Sequence, residues 1–248
     1  ARFGKVDAHI AVCAIAREVL LRAMRVAEDH GFDVVHGIVD SLWVRKEGAS
    51  PRELADLCRE ISRETGAPIS VNGRYKWIVF LPSRTHPGVP VLNRYYGVLE
   101  EGGIKVRGIE ARRKDTPPFI RNAQIDMIKA LSKASNAREF REKIPESLKV
   151  LRRHVNRLVD HEVSLDQLII TNQLSKRADR YSNKVFQAIA AQQLMKEGIE
   201  ISAGQTVRYI ITDADERRPD RKVKAAELTT QDTRYDAKKY LDLLLAAA

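Results

Sequence analysis

Apolar residues recur at helical spacing near the start of the chain, at Ala8, Ala11, Ala14, Ile15, Val19, Met24 and Ala27, and Gly31 supplies a C-terminal stop. The period then shortens. Residues 33–36 and 40–45, joined through Gly37-Ile38-Val39, read as a β-hairpin with Leu42 and Val44 on one face and Asp40 at or beside the tip. Ser50-Pro51-Arg52-Glu53 opens a second helix as a capping box, with Pro at the first helical position. Its apolar stripe is Leu54, Leu57 and Ile61, and Gly66 ends it. Strand signals follow: Ile69-Ser70-Val71, the turn dipeptide Asn72-Gly73, and a return strand over 75–81. A Pro- and Gly-rich loop over 82–90 leads to strands at 94–99 and 104–107, joined by a turn at 100–103. To about residue 112 the pattern is α+β, two helices on a mostly antiparallel meander.

Beyond that point helices dominate. Asp115-Thr116-Pro117-Pro118 marks a helix start, and Ile120, Ala123, Met127, Ala130 and Leu131 form the helix's apolar face. A further helix carries Leu148, Leu151, Val155 and Leu158, and a third runs over about 182–196 to a stop at Gly198. Short strands at 168–171 and 206–211 interrupt them. A domain boundary is expected near residues 112–116. There is no internal repeat or low-complexity tract.

Composition changes this picture only in charge. The net charge is +10, with basic clusters at 107–114 and 217–224, the footprint of a polyanion binder that nucleic-acid proteins and membrane-surface proteins share. No apolar run approaches the ~18 residues of a membrane span, and no signal peptide is visible at Ala1-Arg2-Phe3-Gly4-Lys5, which points to a cytoplasmic protein. The chain does not begin with Met, as after processing or trimming. Cys13 and Cys58 match no metal-ligand spacing and are expected to be small buried hydrophobes in a reducing compartment.

The sharpest segment is Val35-His36-Gly37-Ile38-Val39-Asp40-Ser41-Leu42-Trp43-Val44. It resembles motif C of the family B DNA polymerases, Tyr-Gly-Asp-Thr-Asp-Ser followed by apolar strand residues. Asp40 and Ser41 match its last two positions, whereas His36, Ile38 and Val39 replace Tyr, Asp and Thr. Other segments follow in the family's order. Ala1-Arg2-Phe3-Gly4 is similar to the lead into a palm helix. Asn93-Arg94-Tyr95-Tyr96-Gly97 resembles the Lys-Lys-Arg-Tyr motif, with Leu92 and Asn93 in place of the lysines. Residues 105–110 with Arg112-Arg113-Lys114-Asp115 resemble the Lys-Gly-Leu-Glu and Arg-Arg-Asp stretch between palm and thumb. Leu174-Ser175-Lys176 and the stretches 198–200 and 207–211 resemble two thumb signatures.

The resemblance, to the archaeal-type members, implies a fold in which an antiparallel palm sheet with two helices (residues 1–112) precedes a mainly helical thumb (113–248). It implies that Asp40 is the catalytic and metal-binding aspartate of a two-Mg2+ nucleotidyl-transfer site. Arg94 and Tyr95 would lie along the minor groove of primer–template DNA, and Arg112, Arg113, Lys114, Lys176 and Arg177 would contact its phosphates. The motif A aspartate, the triphosphate-gripping fingers and the exonuclease domain have no counterpart in the chain, and Glu110 is the nearest candidate for a supporting acid. The expected function is therefore the C-terminal subunit of a split DNA polymerase acting on deoxynucleoside triphosphates at the nucleoid, completed by an N-terminal partner chain. The alternative is a degenerate, non-catalytic paralogue that binds primer–template. On the residues alone, Asp40 is also readable as a turn aspartate, the 112–114 and 176–177 cations as solvated surface, and one of Tyr95 and Tyr96 as core.

Overall fold

A computed structural model of the chain describes residues 4–83 and 85–248. The chain forms two compact units, Ala1–Arg74 and Tyr75–Ala248. The opening signature at Ala1, Arg2 and Phe3 lies outside the described residues.

In the first unit, helix α1 (Val6–Asp29) and helix α2 (Pro51–Thr65) flank the hairpin of β1 (Asp33–Ile38) and β2 (Ser41–Arg45). Its core joins Ala23, Val26 and Ala27 of α1 to Phe32, Leu57 and Ile61, with Val34, Leu42 and Val44 packed against them. Leu42 and Val44 thus share the inner face, as their alternation predicts. α2 begins as its sequence dictates. Ser50 Oγ accepts from the Glu53 backbone N–H, the Glu53 carboxylate accepts from the Ser50 N–H at 2.8 Å, and Gly66 closes the helix in the left-handed region at φ 69°. Only the last turns of α1 are covered. Most apolar residues of its first two-thirds, among them Val6, Ile10, Val12 and Ile15, stand exposed. Cys13 sits on that bare stretch, so the expectation that it is buried is corrected: it is an exposed free thiol. Cys58 is also free and half-buried, and burial pushes its thiol pKa up.

A second correction concerns residues 69–74. Despite the Asn72-Gly73 signal they form no strand, and Ile69 and Val71 are exposed. The partner of β3 (Tyr75–Pro82) is instead β4 (Pro90–Leu99), across the 83–89 loop.

In the second unit β3, β4 and β5 (Ile104–Arg107) form an antiparallel sheet in that order. Helices α3 (Pro118–Leu131) and α4 (Ala137–Val159) follow. Trp77 on β3 ties the sheet to them: its indole N–H donates to Ala134 O at 3.0 Å, and its ring meets Phe140 edge-on at 5.0 Å. The composition change at 112–116 falls within this second compact unit. A second antiparallel sheet, β6 (Ile170–Gln173), β7 (Thr206–Ile211) and β8 (Val223–Ala225), packs on α5 (Phe186–Lys196). Helix α6 (Ala237–Ala247) closes the core through fully buried Tyr240, whose hydroxyl donates to Leu168 O at 2.7 Å and accepts from Ile211 N–H at 3.0 Å. The whole is the α+β class that the pattern predicts. No helix among the described residues is long and apolar enough to cross a membrane.

The capping box makes a pH-dependent contribution with a fixed sign. Hydrogen bonds from Ser50 and the Lys46 ammonium push the Glu53 pKa down to about 2 from 4.5. The stabilisation is therefore complete above pH 4.5 and is lost as pH falls toward 2. Denaturant titrations across that window should show a shallower acid loss for Glu53→Gln than for wild type. Ser50→Ala should lower stability at neutral pH by about 1 kcal/mol.

Candidate nucleotidyl-transfer hairpin and nucleic-acid interface

Two residues, Val39 and Asp40, connect β1 to β2 beyond the Ile38–Ser41 pair. Val39 takes φ 53° and is 74% exposed. A β-branched residue is strained in that left-handed region, at a cost on the order of 1–3 kcal/mol. Asp40 beside it is exposed, and Ser41 Oγ donates to its Oδ1 at 3.1 Å. Below it His36 is buried, and its ring lies 4.8 Å from that of Trp43. The position that carries Tyr in the polymerase motif thus serves as an aromatic floor to the hairpin.

A two-cation centre needs several carboxylates converging on metal ions about 3.5–4 Å apart. Asp40 offers one, and among the described residues no group of three or more His, Cys, Asp or Glu is placed to hold a metal ion. This chain's donor set therefore does not by itself fit a magnesium pair.

The remaining candidates lie in the second unit. On β4, Arg94 shares a sheet face with Tyr96, whose ring meets Trp77 edge-on at 6.0 Å. Tyr95 points to the other face, 7% exposed, with its ring 5.5 Å from that of Phe80. Of the two tyrosines it is the more buried. Arg94 Nε donates to Gly108 O at 3.2 Å, and its Nη2 lies 3.6 Å from Glu110. Arg112, Arg113 and Lys114 follow on an exposed turn. Arg113 is committed to a bidentate pair with Asp115, at 3.0 and 2.7 Å, which raises the pKa of the guanidinium and lowers that of the carboxyl. Arg112 and Lys114 have no ion-pair partner among the described residues. Lys176 stands 5.1 Å over the ring of Tyr181, Arg177 Nε is 3.4 Å from Asp179, and the Ser175 N–H donates to the Tyr181 hydroxyl at 3.0 Å. The cations thus form two local groups, one around Glu110 and Asp115 and one around Tyr181.

Two further residues carry this arrangement: Gly108, within the stretch 105–110 that resembles a palm–thumb signature, and Gln124, which lies in none of the sequence signatures. Gly108 has φ 65°, and a Cβ there would sit 1.9 Å from Asn93 O. Gln124, on α3, is 8% exposed and hydrogen-bonds Glu110. Its signal in the sequence is a polar residue amid the apolar positions Ile120, Ala123 and Met127.

The sequence model of DNA polymerase family B matches residues 5–248, and the chain belongs to that family. Across 201 residues it is 26% identical to the DNA polymerase of Archaeoglobus fulgidus, covering 81% of this chain and 24% of that protein. DNA polymerase 1 of Aeropyrum pernix is 28% identical over 207 residues, 81% of this chain and 20% of its own length. The family B DNA polymerase structure from Pyrobaculum calidifontis superposes with a TM-score of 0.65 at 26% identity, over 100% of this chain and 30% of that one. The chain thus spans about a quarter of the length of the curated relatives it matches.

Gly108→Ala combines a forbidden φ with a backbone collision. It should destabilise the second unit by well over about 1 kcal/mol, read as a lowered denaturant midpoint with an unchanged slope.

Proposed function

We propose that this chain is the C-terminal part of a template-directed family B DNA polymerase. In this reading residues 1–112 contribute the end of the palm and 113–248 the thumb. Asp40 supplies one carboxylate to a magnesium-dependent site whose other acid, and whose triphosphate grip, come from an N-terminal polymerase segment on a partner chain. Arg94, Tyr95, Arg112, Arg113, Lys114, Lys176 and Arg177 bear on primer–template DNA, and Tyr95 does so mainly by packing the strand that presents Arg94. The observation that carries the reading is the lone exposed carboxylate on a strained hairpin tip, in a chain that belongs to a polymerase family. The bare apolar stretch of α1 supports it, because a helix that is apolar on nearly all sides belongs in a core and not in water.

A second reading, a non-catalytic paralogue that holds DNA, is favoured by one feature. Ile38 and Leu92 stand where the family's pattern has an acid and a lysine. Retention of Asp40 favours the catalytic reading.

Primer extension separates the two. The purified chain alone should not incorporate nucleotides, and extension should appear when a polymerase segment bearing motif A and the fingers is added. In that reconstituted enzyme Asp40→Ala and Asp40→Asn should slow single-turnover extension by roughly a thousandfold or more, while duplex binding stays near wild type. Ile38→Asp should be mild or activating. Robust extension by the chain alone removes the partner from the reading, and wild-type rates for Asp40→Ala remove Asp40 from the site. Absence of extension in every reconstitution favours the paralogue.

Phosphate contact has its own signature. Removing Lys114 and Lys176 together should weaken duplex binding equally for all sequences and lower the salt slope by about 0.9 per lost contact. An unchanged slope in a binding series at graded salt assigns both to the solvated surface.

A further inference from the structure

We infer that Gln124 is a positioning residue for DNA contact, acting through Glu110 on Arg94. This inference rests on the reading of Arg94 as a contact to the duplex. The three side chains form one polar line from helix α3 to strand β4, a hydrogen bond from Gln124 to Glu110 and an ion pair from Glu110 to Arg94, all within the second unit. Arg94 is held on one edge only: Nε donates to Gly108 O at 3.2 Å and Nη2 approaches Glu110 Oε1 at 3.6 Å. One of its five N–H groups is hydrogen-bonded there and Nη2 is ion-paired, and the side chain keeps 28% of its surface, so the rest of the guanidinium fork remains presentable to a ligand. A guanidinium tethered on one edge loses less rotamer freedom on binding than one swinging freely.

The tether holds only if Glu110 is itself held. Its side chain is 20% exposed and stands at the start of the short turn Glu110–Arg112. Gln124 fixes it. The amide Nε2 donates to Glu110 Oε2 at 3.3 Å and to Ala247 O on α6 at 2.5 Å, and Oε1 accepts from the Ala111 N–H at 2.6 Å. This set of partners requires a carboxamide. The Ala111 N–H needs an acceptor, while the Glu110 carboxylate and Ala247 O need donors. A glutamate lacks the donors, and a methionine lacks both. The same three partners also fix which way round the amide lies. Burial of the group makes each unmade bond expensive, so the arrangement is stiff. Gly108 completes it. Its missing side chain allows residue 108 to approach Asn93, which puts its carbonyl within reach of Arg94 Nε.

The test is a double-mutant cycle on primer–template binding by the full 248-residue chain, with thermal midpoints recorded for every variant. Gln124→Met should weaken binding about fivefold when Arg94 is present, and by less than about twofold in the Arg94→Met background. Its effect on the thermal midpoint should be the same in both backgrounds. Glu110→Gln keeps its shape and sits near the surface, and it serves if Gln124→Met fails to fold. It raises the net charge by one in either background, so the readout is the difference between backgrounds, which should again be several-fold. Equal binding losses with and without Arg94 overturn the inference and make Gln124 a purely structural residue. Unchanged binding for Arg94→Met alone overturns the underlying reading of Arg94 as a contact, and the inference falls with it.

Discussion

The second unit turns on a close approach of backbone to backbone, that of Gly108 to Asn93. Only a residue without Cβ fits there, and only glycine takes φ 65° without strain. The contact sits where strand β5 ends and the chain leaves the sheet for the helices. It sets the exit direction. Ile109, next in sequence, is fully buried, the Glu110–Arg112 turn follows, and Pro117 and Pro118 start α3. From α3 the core spreads to α4, to the β6–β7–β8 sheet and to α6. The polar line through Arg94, Glu110 and Gln124 lies over this same junction, so the presentation of a basic side chain on β4 is tied to the seating of α6 through Ala247. A larger residue at position 108 would disturb both the fold and the cationic edge.

Much of this was legible in the chain because local chemistry specified it. The hairpin follows from alternation at Leu42 and Val44, and α2 from Ser50, Pro51 and Glu53, whose side chains satisfy the orphan donors of its first turn. What escaped was decided at long range. Asn72-Gly73 is a strong local turn signal, yet a hairpin needs two strands that prefer each other, and β3 finds its partner in β4. The sequence expectation lacks helix α6, although Asp236 caps it on the Lys239 N–H and Tyr240, Leu244 and Ala247 share a buried face. Strand β8 is three residues long and exists because β7 offers an edge. Trp77 likewise reaches Ala134 and Phe140, the nearer of them 57 residues away in sequence.

The candidate site was legible in its residue types and not in its pairings. Asp40 stands at the tip that the pattern implies, and the cations at 112–114 and 176–177 are on the surface. Sequence does not reveal that Arg113 is neutralised by Asp115, or that Arg112 and Lys114 on the same turn lack such partners among the described residues. This difference ranks the cations. A guanidinium in a bidentate pair must exchange a carboxylate for a phosphate, a near-even trade in charge, whereas an unpaired cation gives up only water and counterions. Among residues 112–114, Arg112 and Lys114 therefore have more to gain from a polyanion than Arg113.

The hairpin tip leads to the same kind of ranking by a different route. A two-residue turn with no demands beyond folding would select glycine or asparagine at the position with positive φ. This chain has Val39 there, at a cost that no packing recovers, because the side chain is mostly in solvent. Neighbouring positions are conventional: Ile38 pairs with Ser41 across the strands, and Ser41 Oγ orients the Asp40 carboxylate. The strain is thus confined to the residue that aims the acid. An unfavourable conformation kept beside a solvent-facing carboxylate is hard to account for by stability. A tip shaped to meet something outside the chain accounts for it directly, and this is the sense in which the strain at Val39 bears on the proposed role of Asp40.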